Sequence, residues 1–298
     1  MSKHGGTERS IINLFESAKE FNFYEDKYEI INIGKPRPSR GECKTDIYIL
    51  AKNLSTDINR EFKISIKQND ADFLENKMSL ERAEEIFGEK VKDVIIKSIK
   101  SVEKSFSDDY LIYFKKFKRT EEKCIKIGWK FELLNKHGGE RSGVLLLTDD
   151  QKIDVYSGSN LNINKKNAKV NGVEIIDSGV ANFILEVNNT KEVLDFYIKD
   201  LKPIKDFAII NDIYFACKAI NYRSKVNKWD GNRPLSAFIE WSLVNNIISA
   251  KFVMNSPLET KANEIGENIR FILSQLKIDS NNFSKLKNHI DENVNFIE

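Results

Sequence analysis

The stretch Lys44–Gln68, "KTDIYILAKNLSTDINREFKISIKQ", constrains the fold more than any other part of the chain. Apolar and polar residues alternate along two runs, and the polar segment "NLSTDIN" separates them. Period-two alternation marks a strand with one buried face, and a polar turn between two such runs makes an antiparallel hairpin. Ile47 and Ile49 share one face of the first strand; Asp46 and Tyr48 share the other. On the second strand Phe62, Ile64 and Ile66 form the apolar face, and Glu61, Lys63, Ser65 and Lys67 the polar one. In an antiparallel pair the start of one strand lies beside the end of the other, so Asp46 is expected beside Ser65 and Lys67. Such a face either meets water or forms a site.

The remaining pattern fits an α/β (α+β) chain with a central mixed sheet, flanking helices and further β-rich elements. Residues 7–21 have helical apolar spacing, "YEIINIG" reads as a strand, and "GKPRPSRGE" (34–42) as a loop. Residues 69–106 read as one or two helices, with Gly88 as a break. "KCIKIGWKFELL", "SGVLLLTDDQKIDVYSG", "VEIIDSG" and "NFILEV" read as strands. Residues 206–220 fit strand or helix, whereas "RPLSAFIEWSLVNN" and "NEIGENIRFILSQL" read as helices. A boundary near residue 105 is expected, dividing 1–105 from 106–298.

Several function classes lose their material. The three cysteines and three histidines are scattered, which suits neither a disulfide framework nor a zinc site. "NIGKPRPS" lacks P-loop spacing. The polar start "MSKHGGTERS" and the lack of a run of ~20 apolar residues give the expectation of a cytoplasmic protein outside the membrane. A formal net charge of +2 leaves nucleic-acid binding open, because only one face need be basic.

An aspartate, a lysine and a second acid suit metal-assisted phosphodiester hydrolysis. Carboxylate oxygens suit Mg²⁺, and an ammonium can orient the attacking water and stabilise the transition state. Thirteen residues separate Ser65-Ile66-Lys67 from Glu81, which lies on a segment expected to be helical. Asp46, the eighteen residues after it, Ser65-Ile66-Lys67 and Glu81 together resemble the PD-(D/E)xK nuclease superfamily, which includes many type II restriction endonucleases. The resemblance is closest to a branch in which the acid before the lysine is a small residue and the following helix supplies a glutamate. Thr45 stands where the family has proline, and Ser65 where most members have an acid.

The resemblance implies a restriction-endonuclease-like core in residues 1–105, with recognition and dimerisation elements in 106–298. It implies a Mg²⁺-dependent endonuclease cutting double-stranded DNA at a short specific sequence. Asp46, Ser65, Lys67 and Glu81 would be catalytic, with Asp46 and Glu81 holding the metal. Glu85 is the next candidate for the second acid, and Glu16 or Glu20 could assist from the first helix. Related repair or defence nucleases, and a non-catalytic DNA-binding module, are the alternatives.

Candidate DNA contacts come from loops rich in Lys, Arg and Asn, side chains that neutralise phosphates and pair with base edges. They are Lys35, Arg37 and Arg40 before the aspartate, Lys165 and Lys166 in "NLNINKKNAKVNG", Arg223, Lys225, Lys228, Asn232 and Arg233 in "NYRSKVNKWDGNRP", and Lys115, Lys116, Lys118 and Arg119 in "YFKKFKRTEEK". A two-fold DNA site would call for a homodimer.

Overall fold

Helix α1 (Lys3–Ala18) opens the computed structural model, which describes residues 3–68, 72–188 and 193–298. Strands β1 (Glu20–Phe23), β2 (Asp26–Gly34), β3 (Ile47–Asn53) and β4 (Asn59–Gln68) follow. Next come β5 (Phe73–Glu75), α2 (Leu80–Phe87), α3 (Val91–Lys100), α4 (Glu103–Ser107), β6 (Ile112–Tyr113), β7 (Cys124–Leu134) and β8 (Ser142–Val144). Helices α5 (Asp149–Ser157) and α6 (Ile163–Lys166) precede β9 (Ala168–Val170), β10 (Val173–Ile175), β11 (Phe183–Val187), α7 (Leu194–Lys199), β12 (Lys202–Pro203) and α8 (Ile204–Ile210). The last elements are β13 (Tyr214–Arg223), β14 (Lys228–Trp229), β15 (Ala237–Val244), β16 (Ile247–Val253), α9 (Ala262–Gln275) and β17 (Phe296–Ile297). The mixture of helices and strands is the expected α/β class. No helix among the described residues is long and apolar enough to cross a membrane.

The chain divides into two units, Met1–Asp72 with Leu146–Asp212 and Phe73–Leu145 with Ile213–Glu298. The boundary expected near residue 105 falls inside α4 of the second unit. The change of unit comes earlier because Phe73 and Glu75 pair with Leu134 and Leu133 of β7, which commits them to the second sheet.

In the first unit the sheet order is β1-β2-β3-β4-β11-β12. The first four strands are antiparallel neighbours, and β11 lies parallel to β4. The expected hairpin is present, in the register Ile47↔Ile64 and Ile49↔Phe62. Its apolar face packs with Ile11 and Phe15 of α1 and with Phe21, Phe23, Tyr28 and Phe183. Phe62 sits among four of these rings at 5.2–5.5 Å, stacked on Phe183 and edge-on to Phe21, Phe23 and Tyr28. The Arg60 guanidinium caps this cluster, 5.0 Å from the Phe62 ring centre.

The second unit is built on a strand order β14-β13-β7-β15-β16. Residues 237–244, expected to be helical, are strand β15 instead. Their burial alternates through Ala237, Ile239 and Trp241 inward against Glu240 and Ser242 outward, a period of two rather than 3.6. Part of the segment expected as one long strand at 142–158 is helix α5. Thr148 accepts from the Gln151 N–H and Gln151 accepts from the Thr148 N–H, so a capping box starts a helix there. Residues 206–220 are both things in turn, the end of α8 and then β13. Gly88 ends α2 with φ at 67°, a conformation that favours glycine.

Replacing Phe62 with alanine removes the centre of the aromatic cluster. Truncation of a buried phenylalanine costs about 3–5 kcal/mol. Chemical denaturation followed by far-UV circular dichroism should give a loss of that order for Phe62→Ala; a loss below ~1 kcal/mol would contradict this account of the core.

Candidate functional site

The site begins where β3 meets β4. The Asp46 N–H donates to the Ile64 carbonyl at 2.8 Å, continuing the ladder one residue beyond the strand. The chain before Asp46 then turns aside, because the Lys44 and Thr45 N–H groups both donate to the Gly179 carbonyl. At that point the ladder takes a side chain: the Ile66 N–H donates to Asp46 Oδ2 at 2.7 Å. The carboxylate is thereby pinned to the end of β4, between Ser65 and Lys67. The expected neighbourhood of these three residues is thus present.

The polar face of the hairpin is only partly open to water. Ser65 is 3% exposed and Tyr48 1%, and Asp46 and Lys67 are half-buried. Tyr48 donates to Glu61 Oε1 at 2.7 Å, so that pair satisfies itself.

Helix α1 brings a second acid. Gln68 Nε2 donates to Thr7 Oγ1 at 2.9 Å and ties the first turns of α1 to the end of β4. Glu8, the next residue, lies close enough to Asp46 to disfavour its ionisation, and it ion-pairs with Lys35 at the start of the loop after β2. Burial pushes the Asp46 carboxyl up to about 6; the Ile66 N–H opposes this, Glu8 adds to it, and Lys67 and Lys35 work against it. Two acids and two ammonium groups therefore share one small region at the open end of the hairpin.

Glu8 was not among the residues expected from sequence. The signal was available: Glu8 precedes the buried Ile11 and Phe15 by three and seven positions, the spacing of one helix face. Glu16 lies off that face and is exposed. Glu20 is in β1 and ion-pairs with Lys27. Glu81 stands in the first turn of α2 in the second unit, where Glu85 and Glu75 both hold the buried Arg82. The site described here is built from first-unit residues alone.

Among the described residues no three His, Cys, Asp or Glu side chains gather as a metal cage. Mg²⁺ asks for less, since it keeps several waters and takes one or two carboxylates plus substrate phosphate oxygens. Asp46 and Glu8 fit that requirement, and a carboxyl held near 6 by burial is one that a cation would ionise fully. Cysteine nucleophiles are disfavoured: burial pushes Cys43 up to about 11 and Cys124 and Cys217 to about 12.

Two of the expected basic stretches are brought together. Arg37 and Lys169 exchange both main-chain hydrogen bonds at 2.9 Å, and Ser39 Oγ donates to the Asn164 carbonyl at 3.4 Å. Asn171 Nδ2 donates to Asn32 Oδ1 and to the Ile33 carbonyl, fastening the β9–β10 ribbon to β2. A cleft of about 550 Å³ lies there, lined by Lys35, Arg37 and Lys169 together with Asn167, Asn171 and Glu174. Arg40 is exposed on the same loop, the Lys165 chain lies near Gly41, and Lys166 ion-pairs with Asp177 at 3.5 Å.

The third basic stretch belongs to the second unit, and much of it is engaged. Arg223 pairs with Asp230 at 3.0 Å and Lys225 with Glu122 at 2.6 Å. Asn232 Oδ1 accepts from the Asn263 N–H, and the Arg233 carbonyl accepts from the Ala262 N–H, at the start of α9. Trp229 packs against Gly266 of that helix, where a Cβ would come within 2.7 Å of its ring. Lys228 is exposed.

Comparison of the chain with protein-family models, with curated proteins and with solved structures finds no match.

The raised Asp46 pKa carries a stability consequence. An acid that holds its proton more tightly when folded makes the fold lose stability as pH rises from about 4 towards 6. Asp46→Asn keeps an acceptor for the Ile66 N–H and removes the charge. It should therefore be more stable than the unsubstituted protein at pH 8, with the difference vanishing towards pH 4. Thermal unfolding of both forms across that range checks this; a destabilised Asp46→Asn at pH 8 would contradict it.

Proposed function

We propose that the protein is a Mg²⁺-dependent nuclease hydrolysing phosphodiester bonds in double-stranded DNA, and that it acts as a type II restriction endonuclease. The observation that carries the reading is the convergence of Asp46, Lys67 and Glu8 at one end of β3 and β4. Topology supports it as well. A helix, an antiparallel β2-β3-β4 run and, later in the chain, a strand parallel to β4 give the central mixed sheet with flanking helices that a restriction-endonuclease-like core was expected to have.

Asp46 and Glu8 are the residues that would hold the metal ion. When bound there, Mg²⁺ supplies positive charge for the scissile phosphate and a more acidic water. The Lys67 ammonium donates to the attacking water and to the oxygen on which charge develops. Ser65, small and buried beside Asp46, occupies the position where most of the superfamily carries the second acid. Glu8 takes that acid's part from α1; Glu81 is the alternative that the motif spacing suggests. Lys35, Arg37 and Lys169 line a path for the DNA backbone. Cleavage of both strands at a two-fold site would use a homodimer.

The test is cleavage of supercoiled plasmid and phage DNA with Mg²⁺, read as discrete fragments. Asp46→Ala and Lys67→Ala should each lower the rate at least ~100-fold, while DNA binding in Ca²⁺ stays within a few-fold. Glu8→Gln should cost at least ~10-fold and Glu81→Gln little; the opposite order would transfer the second acid to Glu81. Binding without Mg²⁺-dependent cleavage would leave a non-catalytic DNA-binding module.

A further inference from the structure

The second unit has its own cavity, unrelated to the hydrolytic residues. It measures about 970 Å³ and lies among α4, β6 and the Phe117–Thr120 turn. Pockets of this order hold small molecules, usually with a few converging polar groups.

Its floor is charged and partly buried. Lys126 is 2% exposed. Lys126 Nζ and Arg141 Nη2 both meet the same oxygen, Asp109 Oδ2, at 2.9 and 3.0 Å. Two cations thus face one carboxylate, and Asp108 and Glu140 also line the cavity. Tyr113 donates to Asp109 Oδ1 at 3.3 Å. Arg141 Nε is buried without a hydrogen-bond partner, although Arg141 Nη2 also donates to the Ser105 carbonyl at 2.6 Å. An unpaired buried N–H is costly, and the two terminal nitrogens of the guanidinium are the part of Arg141 left to meet a ligand.

The wall and rim differ in character. Tyr110 and Phe117 are half-buried and meet edge to face at 5.5 Å. Lys104, Lys118 and Arg119 are exposed around them, the last two at the tip of the Phe117–Thr120 turn. Aromatic faces with flexible cations at the mouth and directional donors and acceptors at the floor match one ligand chemistry: a planar heteroaromatic ring carrying a phosphate. Stacking on aromatic side chains tolerates any base, and cations at the rim take the phosphate.

We propose that this cavity binds a single nucleotide, its base against Tyr110 and Phe117, its edge towards Asp109 and Arg141, and its phosphate at Lys118 and Arg119. The nucleotide can be free in solution or turned out of a DNA strand; both present the same chemistry. The free-nucleotide arm stands apart from the hydrolytic reading, since its test uses EDTA and scores no cleavage; the duplex arm rests on the DNA binding proposed above.

The experiment is calorimetric titration of the full chain with dAMP, dCMP, dGMP and dTMP, with deoxyribose 5-phosphate and inorganic phosphate as controls. A second arm binds duplexes carrying 2-aminopurine and reads its fluorescence. At least one nucleotide should bind at least ~10-fold more tightly than deoxyribose 5-phosphate, or 2-aminopurine should brighten on binding. Phe117→Ala and Tyr110→Ala should each weaken that signal ~5-fold or more, with thermal unfolding unchanged. Arg119→Gln should weaken nucleotides but not the corresponding nucleosides. Binding of free nucleotides assigns a soluble ligand; brightening alone assigns an everted one. Inorganic phosphate binding as tightly as any nucleotide, silence in both arms, or a signal indifferent to Phe117 and Tyr110 would overturn the proposal.

Discussion

The hydrogen bond from the Ile66 N–H to the Asp46 carboxylate, 2.7 Å long, is the interaction on which the candidate site depends. It occurs where the main chain leaves the ladder for Gly179, so a side chain does what backbone does elsewhere in the sheet. That substitution explains why an acid stands at this end of an apolar hairpin. It also fixes the carboxylate beside Ser65 and Lys67 without leaving its orientation to a mobile loop. A site held on paired strands is more exact than one held on a loop.

The same arrangement works against stability. The Asp46 carboxyl stands at about 6, raised mainly by burial and also by Glu8, against the lowering effect of the Ile66 N–H, Lys67 and Lys35. A structural acceptor for one N–H could be an asparagine, with no charge to desolvate. Aspartate here, with a second acid and two ammonium groups around it, is the more costly choice, and costly buried charge is concentrated where function needs it. The Gln68–Thr7 hydrogen bond then becomes intelligible, since it is what holds the Glu8 end of α1 at the end of β4.

Much of this was legible in the chain. The hairpin, its register and the meeting of Asp46 with Ser65 and Lys67 follow from period-two alternation, which one buried face enforces along the strand. The basic loops at 35–40 and 165–169 could each be read as cationic. Their joining through Arg37 and Lys169 could not, because pairing across so long a separation has no local signature. Residues 237–244 misled because Ala237, Ile239, Trp241 and Leu243 sit among enough further apolar residues to mimic a helical stripe. Glu81 had the spacing of a known motif, whereas Glu8 had only its helix face to recommend it. The earlier division between units is also a tertiary effect, decided by β5 pairing with β7 rather than by any linker composition.

The central claim is that Asp46 and Glu8 form a divalent-cation site beside Lys67. Mn²⁺ soaked into crystals of the protein would report on it directly through anomalous scattering. The account predicts a peak within about 2–2.5 Å of oxygens from both carboxylates, lost in Asp46→Asn. A saturating soak with no peak there, or with its strongest peak held by other residues, would contradict it.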